Sequence, residues 1–355
     1  MRLELTVVVV GLISACGTPT PGNDAGVDAG SDAGAATIDA GPLGDAGTRV
    51  GLFQLQHTVS QFGDSSNFFG KVYDGPTPKA VQFAVDLTNG DCRVEVPVVP
   101  FCATPCGGSA VCVSNDTCQP YPTSRSVGTL HAAGFLFTAS GAGGGSGTGG
   151  GGGATGGGSG GGGGSPSATE FDLAVVSNGY STPASVQLSV PPFADQSTLT
   201  LTASGSSVVS PFTLSSTGVA PIALTQSTWA LASGSALDLQ WTPGSTSTGA
   251  RIEVEIDISH HGGLRGQIVC DTADDGALSI GADLVTRLIG LGVSGFPTIV
   301  VRRIKTGSTV IQGGRVDFEV LSSTEKGLTI PGLVSCTDTS ECPMGQTCQD
   351  DLRCQ

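Results

Sequence analysis

Eleven cysteines in 355 residues are the side chains best placed to do chemistry, and their spacing indicates which chemistry. Cys106-x5-Cys112-x5-Cys118-Gln119 and Cys342-x5-Cys348-x5-Cys354-Gln355 share both spacing and final residue. Each run has one more cysteine upstream, Cys102 in the first and Cys336 in the second. This is an internal repeat of a small four-cysteine module, too short to hold a core without crosslinks. The apolar run from Leu5 to Ile13, behind Arg2, has the length of a secretory h-region, which directs the chain to an oxidising compartment. Setting Cys16 aside leaves an even number of thiols, so disulfides are the expected chemistry. Zinc is the rival, but structural zinc sites are built on closely spaced cysteine pairs, and exported thiolates are oxidised.

Within a module of four cysteines, three connectivities are possible. We expect first-to-third and second-to-fourth pairing, because a bond between near neighbours closes a strained loop of little value. Cys92 and Cys270 are then the unassigned thiols. Cys92 opens the alternating run Cys92-Arg93-Val94-Glu95-Val96, and Cys270 ends Ile268-Val269-Cys270. A bond between them closes a loop of roughly 180 residues, for which chain entropy gives about 5 kcal/mol. The alternative is two free, buried thiols acting as small hydrophobes.

Other chemistry-bearing residues carry weaker signals. His57 and His131 are isolated, and His260 and His261 are adjacent, so on a regular strand they would point to opposite faces. They precede Gly262-Gly263 and read as turn histidines. Asp271, Asp274 and Asp275 read as a turn ending in Gly276 rather than as cation ligands. Gly157-Gly158-Ser159-Gly160-Gly161 matches a nucleophile elbow in letters only, since it lacks the preceding strand and following helix that the elbow requires. No catalytic residue, no metal and no cofactor is assigned. A Ser-His-Asp site assembled from distant residues stays open.

Ile13-Ser14-Ala15-Cys16 resembles a bacterial lipobox, in which the cysteine becomes the mature amino terminus and carries a diacylglyceryl and an N-acyl group. The resemblance implies a lipid bilayer as partner through acylated Cys16. Three acyl chains hold far more firmly than a single myristate. Gly17 in place of Asp after the cysteine implies the outer membrane or cell surface. Residues 17–49 repeat Asp-Ala-Gly, with too little apolar surface to offset chain entropy, and read as a disordered tether. Its span is roughly 30 Å for about 33 residues. Asp24, Asp28 and Asp32 recur every four residues, which does not fit an EF-type calcium loop. The four-cysteine runs resemble those of dickkopf-type and epidermal-growth-factor-like modules. Taken together, lipobox, tether and carboxy-terminal module resemble the surface lipoproteins of Gram-negative bacteria with large secretomes.

The elements that must carry these residues read as β-structure. Ile252, Val254, Ile256 and Ile258 alternate with polar residues, as do Val316, Phe318 and Val320, and the runs 186–190, 198–202 and 237–241. Runs 81–87, 171–176 and 299–304 are further candidates. Period-two alternation between Gly, Pro and Ser clusters marks antiparallel sheets with one wet face. One helix is expected between Ile280 and Gly290, from Leu284, Val285, Leu288 and Ile289. The fold expected is a mostly β, antiparallel β-sandwich of immunoglobulin-like or related type, with two stacked sandwiches as the alternative. The expected organisation is a signal peptide over 1–15, lipidated cysteine and tether over 16–49, a β-domain over 50–330, and a module over 334–355. The β-domain would hold the four-cysteine insert 102–118 and a Gly-rich loop over 139–166.

A formal charge of −15 argues against nucleic-acid binding, because an acidic chain cannot neutralise phosphates. The expected role is a membrane-anchored binding or display module for a glycan, protein or matrix ligand; a secreted hydrolase or metal-dependent enzyme is the alternative. Flat faces near Trp229, Trp241 or Tyr180 would suit ligand binding. A pocket joining His260 or His261 to Asp271 or Asp274 would suit catalysis. The lipobox makes one direct prediction. Metabolic labelling with a radioactive fatty acid tags the wild type and leaves Cys16→Ser unlabelled.

Overall fold

The computed structural model describes residues 47–61, 63–139, 170–177 and 179–355. The expectations for the signal segment, for Cys16, for the tether up to residue 46 and for the Gly-rich tract lie outside the described residues.

Strands run over Arg49–Val59 (β1), Ser65–Tyr73 (β2), Gln82–Asn89 (β3), Cys92–Val98 (β4), Ala110–Ser114 (β5) and Thr117–Pro120 (β6). Shorter strands follow at Ser124–Arg125 (β7), Leu130–Ala133 (β8), Phe137–Ala139 (β9), Glu170–Asp172 (β10), Ala174–Val176 (β11), Gly179–Ser181 (β12) and Val186–Leu188 (β13). Next come Thr198–Ala203 (β14), Phe212–Thr217 (β15), Trp229–Ala230 (β16), Leu237–Gln240 (β17), Arg251–Asp257 (β18), Gln267–Ala273 (β19) and Ala277–Ile280 (β20). A helix, Ala282–Gly290 (α1), precedes the two longest strands, Thr298–Ile311 (β21) and Gly314–Thr329 (β22). The alternation on β18 works as its sequence implies: Ile252, Val254 and Ile256 are buried while the residues between them are half-exposed. The helix buries Leu284, Val285 and Leu288, with Asp283 in its first turn and Arg287 in its last, the arrangement the helix dipole favours.

Twelve strands form one sheet along the path β11-β12-β2-β1-β22-β21-β18-β19-β4-β3, with β7 on β2 and β16 on β22. A four-stranded sheet, β10-β8-β14-β15, and the pairs β13-β9, β17-β20 and β5-β6 complete the set. The expectation of purely antiparallel sheets needs one correction. β1 and β16 each run parallel to β22, while the other pairs are antiparallel. β22 is the reason: from Arg315 to Thr324 its side chains are buried or nearly so on both faces, an environment typical of a central strand with parallel neighbours.

Two hydrophobic cores share this one sheet. In the first, Phe53, Leu55, Phe68, Val316, Phe318 and Val320 face Leu130, Ala132, Leu199, Leu201 and Leu214 of the four-stranded sheet. In the second, Ile252, Val254, Ile268, Ile299 and Val301 face Trp229, Leu239, Trp241, Leu284 and Leu288. The result is a mostly β, multi-sheet sandwich in which the two alternatives meet: two sandwich-like layers, one continuous sheet. The described residues all belong to one compact unit. Gly307 shows how tightly the layers close, since a Cβ there would lie 1.7 Å from the Ser215 carbonyl oxygen.

Cys92 and Cys270 are direct cross-strand neighbours on β4 and β19, buried and disulfide-bonded with Cα atoms 4.0 Å apart. The bond ties β4 to the second core across a separation of 178 residues. Replacing both with alanine is expected to cost up to about 5 kcal/mol of unfolding free energy. Urea unfolding measures the loss, and non-reducing peptide mapping of the wild type returns one linked pair.

Candidate functional site

The remaining eight described cysteines form four bonds. Cys102 joins Cys112, Cys106 joins Cys118, Cys336 joins Cys348, and Cys342 joins Cys354. The pairing is first-to-third and second-to-fourth in both modules. Cys102, Cys106 and Cys112, like Cys336, Cys342 and Cys354, lie within metal-ligating distance of one another, but each sulfur is already in a disulfide.

The two copies are placed differently. The carboxy-terminal module docks on the β-domain: Cys336 is fully buried, Gly295 N–H donates to the Asp351 carbonyl, and Ser335 Oγ donates to the Gly295 carbonyl at 2.6 Å. The first module follows the β3–β4 ribbon instead. β19 pairs with β4 only from Cys92 to Glu95, whereas β3 continues alongside β4 out to Val98. The hairpin β5–β6 lies beyond it, linked back by the Gln82 amide to the Val113 carbonyl. Asp116, in the left-handed region at φ 57°, accepts the Ala103 N–H, and Asn115 Oδ1 accepts the Phe101 N–H. The acid of this module is thus spent on its own loop. Around it, Phe83, Val85, Val98, Val99, Phe101 and Tyr121 are exposed, Phe101 by 70%.

A row that is polar at every position but Ile252 crosses the long sheet. Ser66, His57, Ser322, Arg303, Ile252 and Thr272 are successive cross-strand neighbours on β2, β1, β22, β21, β18 and β19. At its centre the Arg303 side chain is only 1% exposed and uses all its donors. Nε and Nη2 grip Asp274, at 2.7 and 3.0 Å, and the rest reach the Ala220, Pro221 and Thr242 carbonyls. Asp274 also accepts from Trp241 Nε1 and Gly244 N–H.

His57 and Ser322 of this row, with Asp64 just before β2, bring together a histidine, a serine and an aspartate. His57 Nδ1 lies 3.2 Å from Ser322 Oγ, and Nε2 lies 3.6 Å from Asp64 Oδ2. These are the residue types of a hydrolytic triad, yet Ser322 is fully buried and its oxygen already accepts the Ile222 N–H. A nucleophile has to meet its substrate, so this geometry reads as a packing feature. His57 Nε2, Ser66 Oγ and Thr324 Oγ1 are buried without a hydrogen-bond partner among the described residues. Burial pushes the His57 imidazole below its ordinary pKa, with the Asp64 carboxylate pulling partly the other way.

The other candidates are separated. His260 and His261 lie ring to ring at 4.0 Å, and His260 faces Asp257 at 3.8 Å, while Asp271 pairs with Arg251 and Asp274 with Arg303. Asp275 accepts the Ala277 N–H in the β19–β20 turn. His131 lies exposed on β8, with Asp172 at 3.0 Å. The aromatic faces suggested for ligand binding are corrected: Trp229, Trp241 and Tyr180 are core residues. Their polar atoms bond to Gln226, to Asp274, and to Val127 and Gly128. Two clefts are small, about 200 Å³ beside Tyr73, Arg125 and Ile311 and about 210 Å³ along β17 and β20. Pockets for small ligands usually enclose roughly 300 Å³ or more.

No protein-family model matches the chain, and no curated protein matches it. Among solved structures, one titled as the crystal structure of chicken CNTN1 FN1-FN3 domains matches at 7% identity and a TM-score of 0.17, covering 77% of this chain and 72% of that one. A likeness so slight carries neither topology nor activity. Among the described residues no helix is long and apolar enough to cross a membrane.

The buried imidazole makes a pH prediction. Its pKa is lower in the folded than in the unfolded chain, so the unfolded chain takes up the proton first as pH falls. Stability attributable to His57 is therefore whole above about pH 6.5 and declines below it. Urea midpoints measured from pH 7.5 down to 5 fall for the wild type, and the His57→Leu variant loses that part of the slope.

Proposed function

We propose that this chain is a lipid-anchored binding or display module. In this reading acylated Cys16 holds it in a bilayer, on the outer membrane or cell surface, and the β-domain presents a ligand-binding arm on the Asp-Ala-Gly tether. The lipobox-like Ile13-Ser14-Ala15-Cys16 and the repeats that follow support the anchoring. The observation that carries the binding role is the contrast between the two cysteine modules. One is docked, with Cys336 buried; the other sits at the end of a ribbon with Val99, Phe101 and Tyr121 exposed. Disulfides hold that arm rigid without a core of its own, and rigid exposed aromatic and aliphatic side chains bind at low cost in conformational entropy.

The neutral character of the arm suits a protein or glycan ligand. Residues 96–115 contain no charged side chain. Immobilised wild type is expected to capture a ligand from a glycan array or a surface-protein extract, and the Phe101→Asp/Tyr121→Ser variant to lose it. Unchanged capture by the variant would place the binding surface elsewhere.

A further inference from the structure

We infer that the inner face of the β1–β2 turn binds a single divalent metal ion of the zinc class, held by His57 Nε2 and Asp64 Oδ2. The His57 side chain is 2% exposed, and Nε2 has no hydrogen-bond partner among the described residues. Asp64 Oδ2 lies 3.6 Å away, too far for a hydrogen bond. Two ligand atoms of one tetrahedral ion, each bonded at about 2.0–2.1 Å, stand roughly 3.4 Å apart. The separation therefore suits an ion between the two atoms better than a shared proton.

Two further oxygens stand on the same face. Ser66 is the cross-strand neighbour of His57, and Thr324 is that of Val59, which shares the inward face with His57. Ser66 Oγ and Thr324 Oγ1 are buried without a partner among the described residues, and Thr324 is 2% exposed. Three orphaned polar atoms on adjacent strands each carry a desolvation cost, which a common cation and its bound water remove. The two principal ligands also have their supporting contacts. His57 Nδ1 meets Ser322 Oγ at 3.2 Å, the kind of outer partner that orients a ligating imidazole. Asp64 Oδ1 accepts the Ser60 N–H at 3.1 Å, which leaves Oδ2 for the ion. Asp64 is 43% exposed, so an ion reaches Nε2 from the turn, a path too narrow to bring a substrate to Ser322. An imidazole beside a carboxylate selects zinc or a neighbouring first-row metal, whereas calcium and magnesium take oxygen ligands.

The site lies inside the β-domain and depends neither on anchoring nor on ligand capture by the first module. The test uses the full chain carrying Cys16→Ser, in which every remaining cysteine is in a disulfide and no thiolate competes for metal. Zinc, titrated to about a hundredfold its half-saturating concentration, is expected to raise the melting temperature by roughly 5 °C, and calcium to leave it unchanged. Asp64→Asn, which keeps the acceptor for Ser60, and His57→Gln are each expected to abolish the rise. His131→Ala is expected to retain it. That exposed imidazole, with Asp172 at 3.0 Å and Glu170 at 3.6 Å, is the competing surface site. Near-ultraviolet circular dichroism checks that each variant is folded before metal is added. No rise at any zinc concentration, an equal rise with calcium, a rise that survives both site substitutions, or its loss in His131→Ala overturns the inference.

Discussion

Arg303 and Asp274 meet in the interior of this molecule with every donor of the guanidinium engaged. Burying a charge pair is costly, and its mutual attraction repays the cost only when the remaining hydrogen bonds are also made. Here they are made to backbone. Ala220 and Pro221 lie between β15 and β16, and Thr242 and Gly244 between β17 and β18, outside the named strands, so their carbonyls and amide have no ladder to join. An unpaired backbone group in that position would cost about as much as a lost hydrogen bond. Removing the guanidinium would strand several at once, together with the Asp274 carboxylate. The β15–β16 and β17–β18 connections are therefore fastened to the long sheet at one side chain.

The row containing Arg303 also explains why the interior divides. Along β22 the inward residues run Val316, Phe318, Val320, then Ser322 and Thr324, then Leu328. Serine and threonine in the middle of a buried strand leave a polar gap between two apolar stretches. His57 on β1 and Arg303 on β21 extend the gap sideways. Each half of the sheet can then recruit its own covering layer while the ladder continues unbroken beneath. The covalent bond from Cys92 to Cys270 lies at the far side of the second core, where the sheet runs out toward its free edge.

How much of this was legible follows the same physics. β18 was readable because one face is buried and the other wet, and α1 because its apolar residues recur at helical spacing. β22 was only half readable: the alternation ended at Val320, but the strand continues to Thr329 and both of its faces stay covered as far as Thr324, which erases the period-two signal there. The run 171–176 divides into β10 and β11, which join different sheets. The parallel pairing of β1 with β22 left no local trace, since the partners lie at opposite ends of the β-domain. Trp229 and Trp241 misled for a simple reason. An indole suits a ligand face only when its N–H needs a partner, and here Gln226 and Asp274 supply one. The His57–Ser322–Asp64 grouping had no motif to announce it, because Ser322 comes from a strand 265 residues away from His57 in sequence.

The outer face of the long sheet limits where contacts can form. Arg93 pairs with Glu95, Arg251 with Asp271, Arg302 with Glu253 and Glu255, and Arg49 with Glu319, each on that face. Exposed pairs of this kind contribute about 0–1 kcal/mol each, so their effect on stability is small. Their effect on recognition is larger. A face on which nearly every cation already has a carboxylate presents little unmatched charge to a partner, and it keeps its apolar atoms beneath long polar side chains. The exception lies at the β3–β4 end, where the ladder of pairs stops at Glu95 and Phe83, Val85, Val98 and Val99 take over. The same residues that end the regular sheet thus begin the surface on which binding energy is available, because burying apolar area there displaces water from side chains that nothing else in the described chain covers.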